Sequence, residues 1–155
     1  MKVIVRVALA EDRPALHALR RRVFVDEQGV PADLELDVLD DEAVHAVAHD
    51  AAGAVVGTGR LLVGPDGRAR IGRMAVDGPA RGSGVGGALL AVLEGAAADA
   101  GCRRCEVHAQ LHAAGFYRRA GYTSQGPPFL EAGIAHLAMG KDLPATGVAG
   151  AGGSL

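Results

Sequence analysis

Residues Ala80–Leu90 read ARGSGVGGALL. An arginine is followed by four glycines within six residues, after an apolar run (Ile71 to Val76) and before a segment patterned as a helix. Glycine at a helix start carries an entropic cost, so a cluster of them there implies that bare backbone must approach something. Three phosphate-cradling patterns compete for the stretch. A Walker loop needs lysine and then Ser or Thr after its last glycine; here Ala88 and Leu89 follow, which excludes it. The dinucleotide fingerprint G-x-G-x-x-G is formally met by Gly82, Gly84 and Gly87, with Glu106 near the expected acid position. Its context is wrong, because Glu106 lies inside a strand pattern and several strands precede the loop. The third pattern, R-x-x-G-x-G, is met by Arg81, Gly84 and Gly86, and joins an arginine, bare amides and a helix N-terminus into a pyrophosphate site. Ser83 adds a hydroxyl where an N-cap would sit, and Gly87 reads as easing the packing of the helix.

Working outward, Lys2 to Ala8 alternates as a strand, and Asp12 with Pro14 starts a helix that runs to about Glu27 through Leu16, Leu19 and Val23. Gln28 to Asp41 is acidic and turn-rich. Strands are expected over Ala43–His49, Ala54–Val63 and, after the turn GPDG, Arg68–Val76. The glycine loop opens a helix to about Ala100 with Val85, Leu89, Val92 and Ala96 on one face. A strand (Cys102–Gln110), a short helix (Leu111–Ala120, stopped by Gly121), a strand (Tyr122–Gln125), a turn at GPPF and a last strand (Ile134–Leu143) complete the chain. The order β-α-β-β-β-α-β-α-β-β predicts an α/β protein with a mixed sheet, and the crossover Arg68 to Gln110 puts the glycine loop at the carboxyl end of a strand. The expected organisation is a single domain over 1–143 followed by a disordered small-residue tail, 144–155.

The chain has 155 residues and a formal charge of −2, from 16 Lys and Arg against 18 Asp and Glu, which argues against a nucleic-acid surface. The arginine clusters Arg20–Arg22, Arg103–Arg104 and Arg118–Arg119 read as solvated faces. No secretory signal is visible, and the best apolar run, Ala88 to Leu93, ends at Glu94, well short of a membrane span. A cytoplasmic protein without a membrane partner is the expectation. Cys102 and Cys105 form C-x-x-C with His108 and His112 beyond, yet no second unit is spaced to close a tetrahedron, so no metal is expected. The pair also ends a helix rather than opening one, unlike a redox motif.

The chain resembles the GNAT acyl-CoA N-acyltransferase superfamily. Arg81-Gly82-Ser83-Gly84-Val85-Gly86 matches its pyrophosphate loop, ARIGRMAV precedes it, and AAGFYRRAGY is similar to the family's A-x-x-F-Y-x-x-x-G-[FY] helix. RRRVFVDEQGV, ELDVLDDEAVH, VVGTGRL and FLEAGIAHLAMGKDL resemble the ElaA/YjcF-like group, so the similarity spans Met1 to Leu143. The resemblance implies the GNAT fold and acetyl-CoA as acyl donor. It further implies that the strand Arg73-Met74-Ala75-Val76 offers backbone groups to the pantetheine arm, with Arg81, Gly82, Ser83, Gly84, Val85 and Gly86 holding the pyrophosphate. Tyr117 falls where the family has a tyrosine near the thioester sulfur, and Gln110 stands where asparagine is common. His45 and His136 occupy positions typical of the group.

Acyl transfer to an amine needs a neutral nucleophile, a polarised carbonyl and a proton for the leaving thiolate. Tyr117, taken with an ordinary phenol pKa near 10, is the expected acid. Glu35 and Asp37 alternate in LELD and share one face of an extended stretch, with Glu35 the expected base and Asp37, His45 and His136 on the acceptor side. His108, Glu106 and Glu131 are further polar candidates. The expected reaction is acetyl transfer from acetyl-CoA to a primary amine of a small molecule or peptide, by direct attack in a ternary complex; a homodimer is compatible with it. The competing readings are an acyl-CoA sensor without turnover, an acyl-homoserine-lactone synthase and a dinucleotide binder. The acceptor loops, Gln28–Asp41 and Thr123–Ala132, carry no readable code.

Overall fold

The computed structural model describes residues 2–31 and 38–144. Among them lie β1 (Val3–Val7), α1 (Arg13–Arg20), β2 (Val44–Asp50), β3 (Val55–Val63), β4 (Arg68–Val76), α2 (Val85–Asp99), β5 (Arg104–Gln110), α3 (Ala114–Arg119), β6 (Thr123–Ser124), β7 (Phe129–Glu131) and β8 (Ile134–Asp142). The sheet order is β1-β2-β3-β4-β5-β8-β6, with β7 paired to β8. The mixed α/β architecture matches the expected order with one strand more. The additional strand is β7, where the sequence pattern reads as turn and loop. It pairs antiparallel with β8 through a two-residue turn in which Ala132 (φ 52°) and Gly133 (φ 75°) are both left-handed. That conformation usually announces itself by Asn-Gly or Asp-Gly, and Ala132 hides it. The expected tail 144–155 lies outside the described residues from position 145 onward. None of the described helices is long and apolar enough to cross a membrane.

The described residues form two compact units, one from Met1–Leu62 with Ile71–Leu93, the other from Val63–Arg70 with Glu94–Leu155. In the first, α1 starts where Asp12 accepts the Leu9 amide (2.7 Å) and binds the Arg6 guanidinium through both oxygens. Leu16, Leu19 and Val23 are buried as their spacing requires, and Leu19 and Val23 pack with Ala75, Phe24 and Val55. After Arg20 the helix widens into a π-type turn, Arg21–Glu27, with the Gln28 amide reaching five residues back to the Val23 carbonyl. In α2 the buried face is Val85, Leu89, Leu93 and Ala97, one step on from the expected Val92 and Ala96.

Arg20 is not the solvated residue its cluster implied; it is 0% exposed. Its guanidinium donates to both carboxylate oxygens of Asp40 (2.8 and 3.2 Å), and Arg60 donates to the first of them (3.1 Å). Burial alone would raise the Asp40 carboxyl, but the hydrogen bonds and charge of Arg20 and then Arg60 outweigh it and hold Asp40 well below the usual carboxylate range. His45, also buried, donates its Nε2–H to the Asp40 carbonyl (2.9 Å), which leaves Nδ1 with a lone pair and no hydrogen-bond partner.

A proton on that nitrogen would add charge to a buried ring near Arg13 and Arg20, so burial first, and these arginines next, lower the His45 pKa below 6.5. The unfolded chain therefore binds this proton more readily than the folded one, and stability falls as pH drops from about 6.5 toward the lower folded value. Thermal melts between pH 7.5 and 5.5 should show this loss. His45→Gln, whose amide preserves the donor to Asp40, should flatten it; an equally steep profile in that variant would assign the loss elsewhere. Asp40 and Asp12, both depressed, act only in the more acidic range near and below pH 4.

In the second unit β5 and β8 pair antiparallel, Arg104 opposite Asp142 through Gln110 opposite His136. Alternate β5 residues Cys105, Val107 and Ala109 are buried. Glu94 accepts from the Tyr122 hydroxyl (2.8 Å) and from Lys141 (3.0 Å). Cys102 and Cys105 are free buried thiols, and burial pushes the Cys105 thiol up to about 11, which leaves it a weak nucleophile and ligand. Among the described residues no group of three His, Cys, Asp or Glu is placed to hold a metal.

Candidate functional site

The loop Arg81–Gly84 lies in the first unit, between β4 and the start of α2. Gly82 (φ 82°) and Gly84 (φ 84°) are both left-handed, a conformation that a side chain would strain. The Gly84 carbonyl accepts the Ala88 amide (3.1 Å), which makes Gly84 the N-cap of α2. The amides of Val85, Gly86 and Gly87 are then the unpaired first-turn donors of a fifteen-residue helix, where its dipole favours an anion. Ser83 does not cap the helix: its hydroxyl turns back and donates to the Ala80 carbonyl. Gly87 is exposed with open space where a Cβ would stand, so it does not serve helix packing.

Arg81 is held from two sides. Its Nε donates to the Val76 carbonyl (2.8 Å), tying the loop to the end of β4, and a terminal nitrogen donates to Glu27 at the end of the π-type turn (2.7 Å). Both partners of this ion pair are about half exposed. β4 itself is irregular. Its alternation of buried and exposed residues lapses over Gly72-Arg73-Met74, and Arg73 adopts φ 51°, rare for a residue with a Cβ and local to a strand interior. Met74, Ala75 and Val76 follow this kink, and the Asp77 amide donates to the Val56 carbonyl (2.8 Å).

In the second unit Tyr117 lies on α3, 7% exposed, edge-on to Phe116 and Tyr122 at centroid distances of 5.0 and 5.7 Å. Its phenol is not an ordinary one, because burial pushes its pKa up to about 12. Gln110 ends β5 with its side chain joined to His112 (2.6 Å) and stands in register with His136 of β8. His136 is opposite Phe129 of β7 on its other side, and the two rings stack at 6.0 Å. Glu131, two residues beyond Phe129, meets His108 Nδ1 at 2.8 Å. His108, Gln110, Tyr117, Glu131 and His136 are each legible as single candidates in the sequence; Phe129 and the grouping depend on β7, which the sequence pattern does not reveal. Glu35 and Asp37 lie outside the described residues. His45, the third acceptor-side residue of the sequence reading, sits against Asp40 in the first unit, and Glu106 is half-buried beside Arg104 (3.7 Å).

A family profile described as an acetyltransferase (GNAT) domain matches residues 10–143. The chain is 42% identical over 125 residues to YjcF of Bacillus subtilis, an uncharacterised N-acetyltransferase, across 80% of this chain and 88% of that protein. It is similar to a crystal structure from Lactobacillus plantarum described as a candidate N-acetyltransferase, with TM-score 0.83 and 36% identity over 92% of this chain and 98% of that one. Escherichia coli ElaA shares the fold at TM-score 0.77 and 24% identity, over 90% and 98% of the two chains.

Proposed function

The chain belongs to the GNAT acetyltransferase family and is an acyltransferase, and from that premise we propose that it moves the acetyl group of acetyl-CoA to a primary amine of a small molecule or peptide. Residues 1–143 act as one catalytic domain in this reading. The observation that carries it is the Arg81–Gly86 loop, with two left-handed glycines, a guanidinium fixed at Val76 and the free first-turn amides of α2. That combination suits a pyrophosphate, which offers several charged acceptors to amides and a guanidinium at once. The backbone of Met74, Ala75 and Val76 takes the pantetheine arm, and Gln110 and Tyr117 serve the thioester end. Attack is direct: the neutral amine adds to the thioester carbon, the oxyanion collapses and the carbon–sulfur bond breaks. By sequence position Glu35 is a candidate base, and Asp37, His45 and His136 are candidates for the acceptor side.

The experiment is release of free thiol from acetyl-CoA across a panel of alkylamines, polyamines, amino acids and peptides, beside a calorimetric titration with CoA. CoA binding with amine-dependent thiol release is the expected result. CoA binding without release from any amine would sink the amine-acetylation reading, and no CoA binding would sink the assignment of the loop.

Glu27 occupies the same terminal nitrogen that the loop would offer to phosphate. Exposed pairs of this kind contribute under about 1 kcal/mol, so Glu27→Gln is expected to tighten CoA binding about two- to fivefold. Weaker binding in that variant would instead mean that Glu27 orients Arg81 for the ligand.

A further inference from the structure

His108, Glu131 and His136 converge from β5, β7 and β8 within the second unit, and a backbone carbonyl fixes which nitrogen of His136 carries its proton. His136 Nδ1 is 2.7 Å from the Ile134 carbonyl, which can only accept, so Nδ1 holds the proton and Nε2 of the neutral ring holds a lone pair. An Arg70 nitrogen lies against both ring nitrogens of His108, Nδ1 and, at 2.9 Å, Nε2, and His108 Nδ1 stands 2.8 Å from Glu131 Oε1. Burial acts to raise the Glu131 carboxyl, but the hydrogen bond to His108 and the charge of Arg70, with any protonation of His108 or His136 adding to them, hold it below its ordinary value. Glu131 is thus an oriented carboxylate with one oxygen engaged. Its other oxygen, Oε2, faces His136 Nε2 at 3.9 Å. Both atoms are acceptors, and what completes such a pair is a donor. The Phe129 ring stacks on His136 and meets His108 edge-on at 5.0 Å, which lends the place an aromatic surface suited to a cation. His136 is 6% exposed, while the Glu131 side chain is 45% exposed and open to an entering group.

We propose that Glu131 and His136 form the acceptor-amine subsite, Glu131 binding a primary ammonium and His136 Nε2 taking its proton. The subsite rests on the acetyl-transfer reading. It supplies what that reaction lacks, since an ammonium has no lone pair for the thioester. The ammonium bridges Oε2 and Nε2 and gives one proton to Nε2. The neutral amine then attacks the thioester carbon; the carbon–nitrogen bond forms as the carbon–sulfur bond breaks, and the second nitrogen proton and the thiolate combine, through solvent, as free thiol. The imidazolium of His136, paired with Glu131, returns its proton to water. His108 is a positioning residue, since it acts by orienting Glu131. Among the described residues, the groups facing His136 and Glu131 are each other, His108 and, through His108, Arg70, with Gln110 and its partner His112 alongside in the β5 register.

The test uses the full chain saturated with CoA, followed by the histidine ring resonances in NMR as n-butylammonium chloride is added, with tetramethylammonium chloride as the control. Butylammonium should shift the His136 and His108 signals saturably; tetramethylammonium, a cation without N–H donors, should not. Glu131→Gln should weaken the response about tenfold or more, as expected for loss of a charge-assisted bond. Unmoved signals, or equal shifts with both salts, would overturn the subsite. His136→Asn keeps a donor for the Ile134 carbonyl while removing Nε2 together with the ring that stacks on Phe129, so a melting curve of the variant, expected to stay close to the parent's, accompanies the kinetics. With an amine from the thiol-release panel, it should lose on the order of 100-fold in kcat at unchanged CoA affinity. Its rate should then rise with pH along the deprotonation of the free amine. A kcat within threefold of the parent would overturn the role of His136 as base even if butylammonium binds. Failure of the parent chain to release thiol from any amine would count against acetyl transfer, and the NMR titration would still decide the subsite.

Discussion

Asp40→Ala is expected to destabilise the protein by about 3–5 kcal/mol, the range for removing one partner of a buried ion pair. For a chain of this size that corresponds to a fall in melting temperature of roughly 6–20 °C. The carboxylate is shared by Arg20 and Arg60, 0% and 7% exposed, so its loss leaves two neighbouring guanidiniums with less negative charge between them. It also untethers the short helical turn Val38–Asp41, which is anchored by that side chain and by the His45 bond to the Asp40 carbonyl. Calorimetric melts at pH 7.5 read the effect directly. Asp40→Asn, which keeps the shape and one acceptor, should fall between the two. A melting temperature within about 3 °C of the parent for Asp40→Ala would mean that other groups carry the arginines.

Tyr117→Phe is expected to lower kcat by about 10- to 100-fold while leaving CoA affinity within about twofold. The size follows from what a phenol of raised pKa can do. At about 12 it holds its proton across the whole working range, so no rate inflection belongs to it. Transfer of that proton to a thiolate with a pKa near 8.5 is uphill by about 3–4 units, or roughly 5 kcal/mol. On the proposed acetyl-transfer reading, Tyr117 would therefore serve as a hydrogen-bond donor to the sulfur as charge develops there, with solvent delivering the final proton. This departs from the general-acid role that an ordinary phenol implied. Stopped-flow turnover with acetyl-CoA and calorimetry with CoA separate the cases. An equal loss of kcat and CoA affinity would assign Tyr117 to binding, and no loss at all would leave it a core residue beside Phe116.

Local chemistry made the candidate pyrophosphate loop legible. Arg81, Gly82 and Gly84 announce themselves because few other purposes justify so much glycine at a helix start, and the structure gives Gly82 and Gly84 the left-handed backbone that only glycine takes readily. The apolar spacing of Leu16, Leu19 and Val23 was equally plain, since burial of a helix face leaves a periodic trace. Residues whose meaning comes from distant partners were not legible. Arg20 and Asp40 are 20 positions apart and each looks like a surface charge; only their encounter makes burial tolerable. The same holds for Glu131, whose partner His108 is 23 positions away and whose strand is disguised by a turn with alanine where asparagine or glycine is usual. A pKa is likewise a property of surroundings, so Tyr117 could be placed by its motif but not given its acidity.

The kink at Arg73 reverses the ordinary rule for glycine in a strand. Glycine in a strand interior usually weakens a protein, yet at φ 51° the Cβ is what costs, by about 1–2 kcal/mol. Arg73→Gly should therefore melt no lower than the parent on backbone grounds, and any drop measured would be the contribution of the arginine side chain alone. Position 73 thus separates backbone from side chain: the shape of β4 leaves glycine and asparagine open there, and what arginine adds is its charge and reach, not the bend.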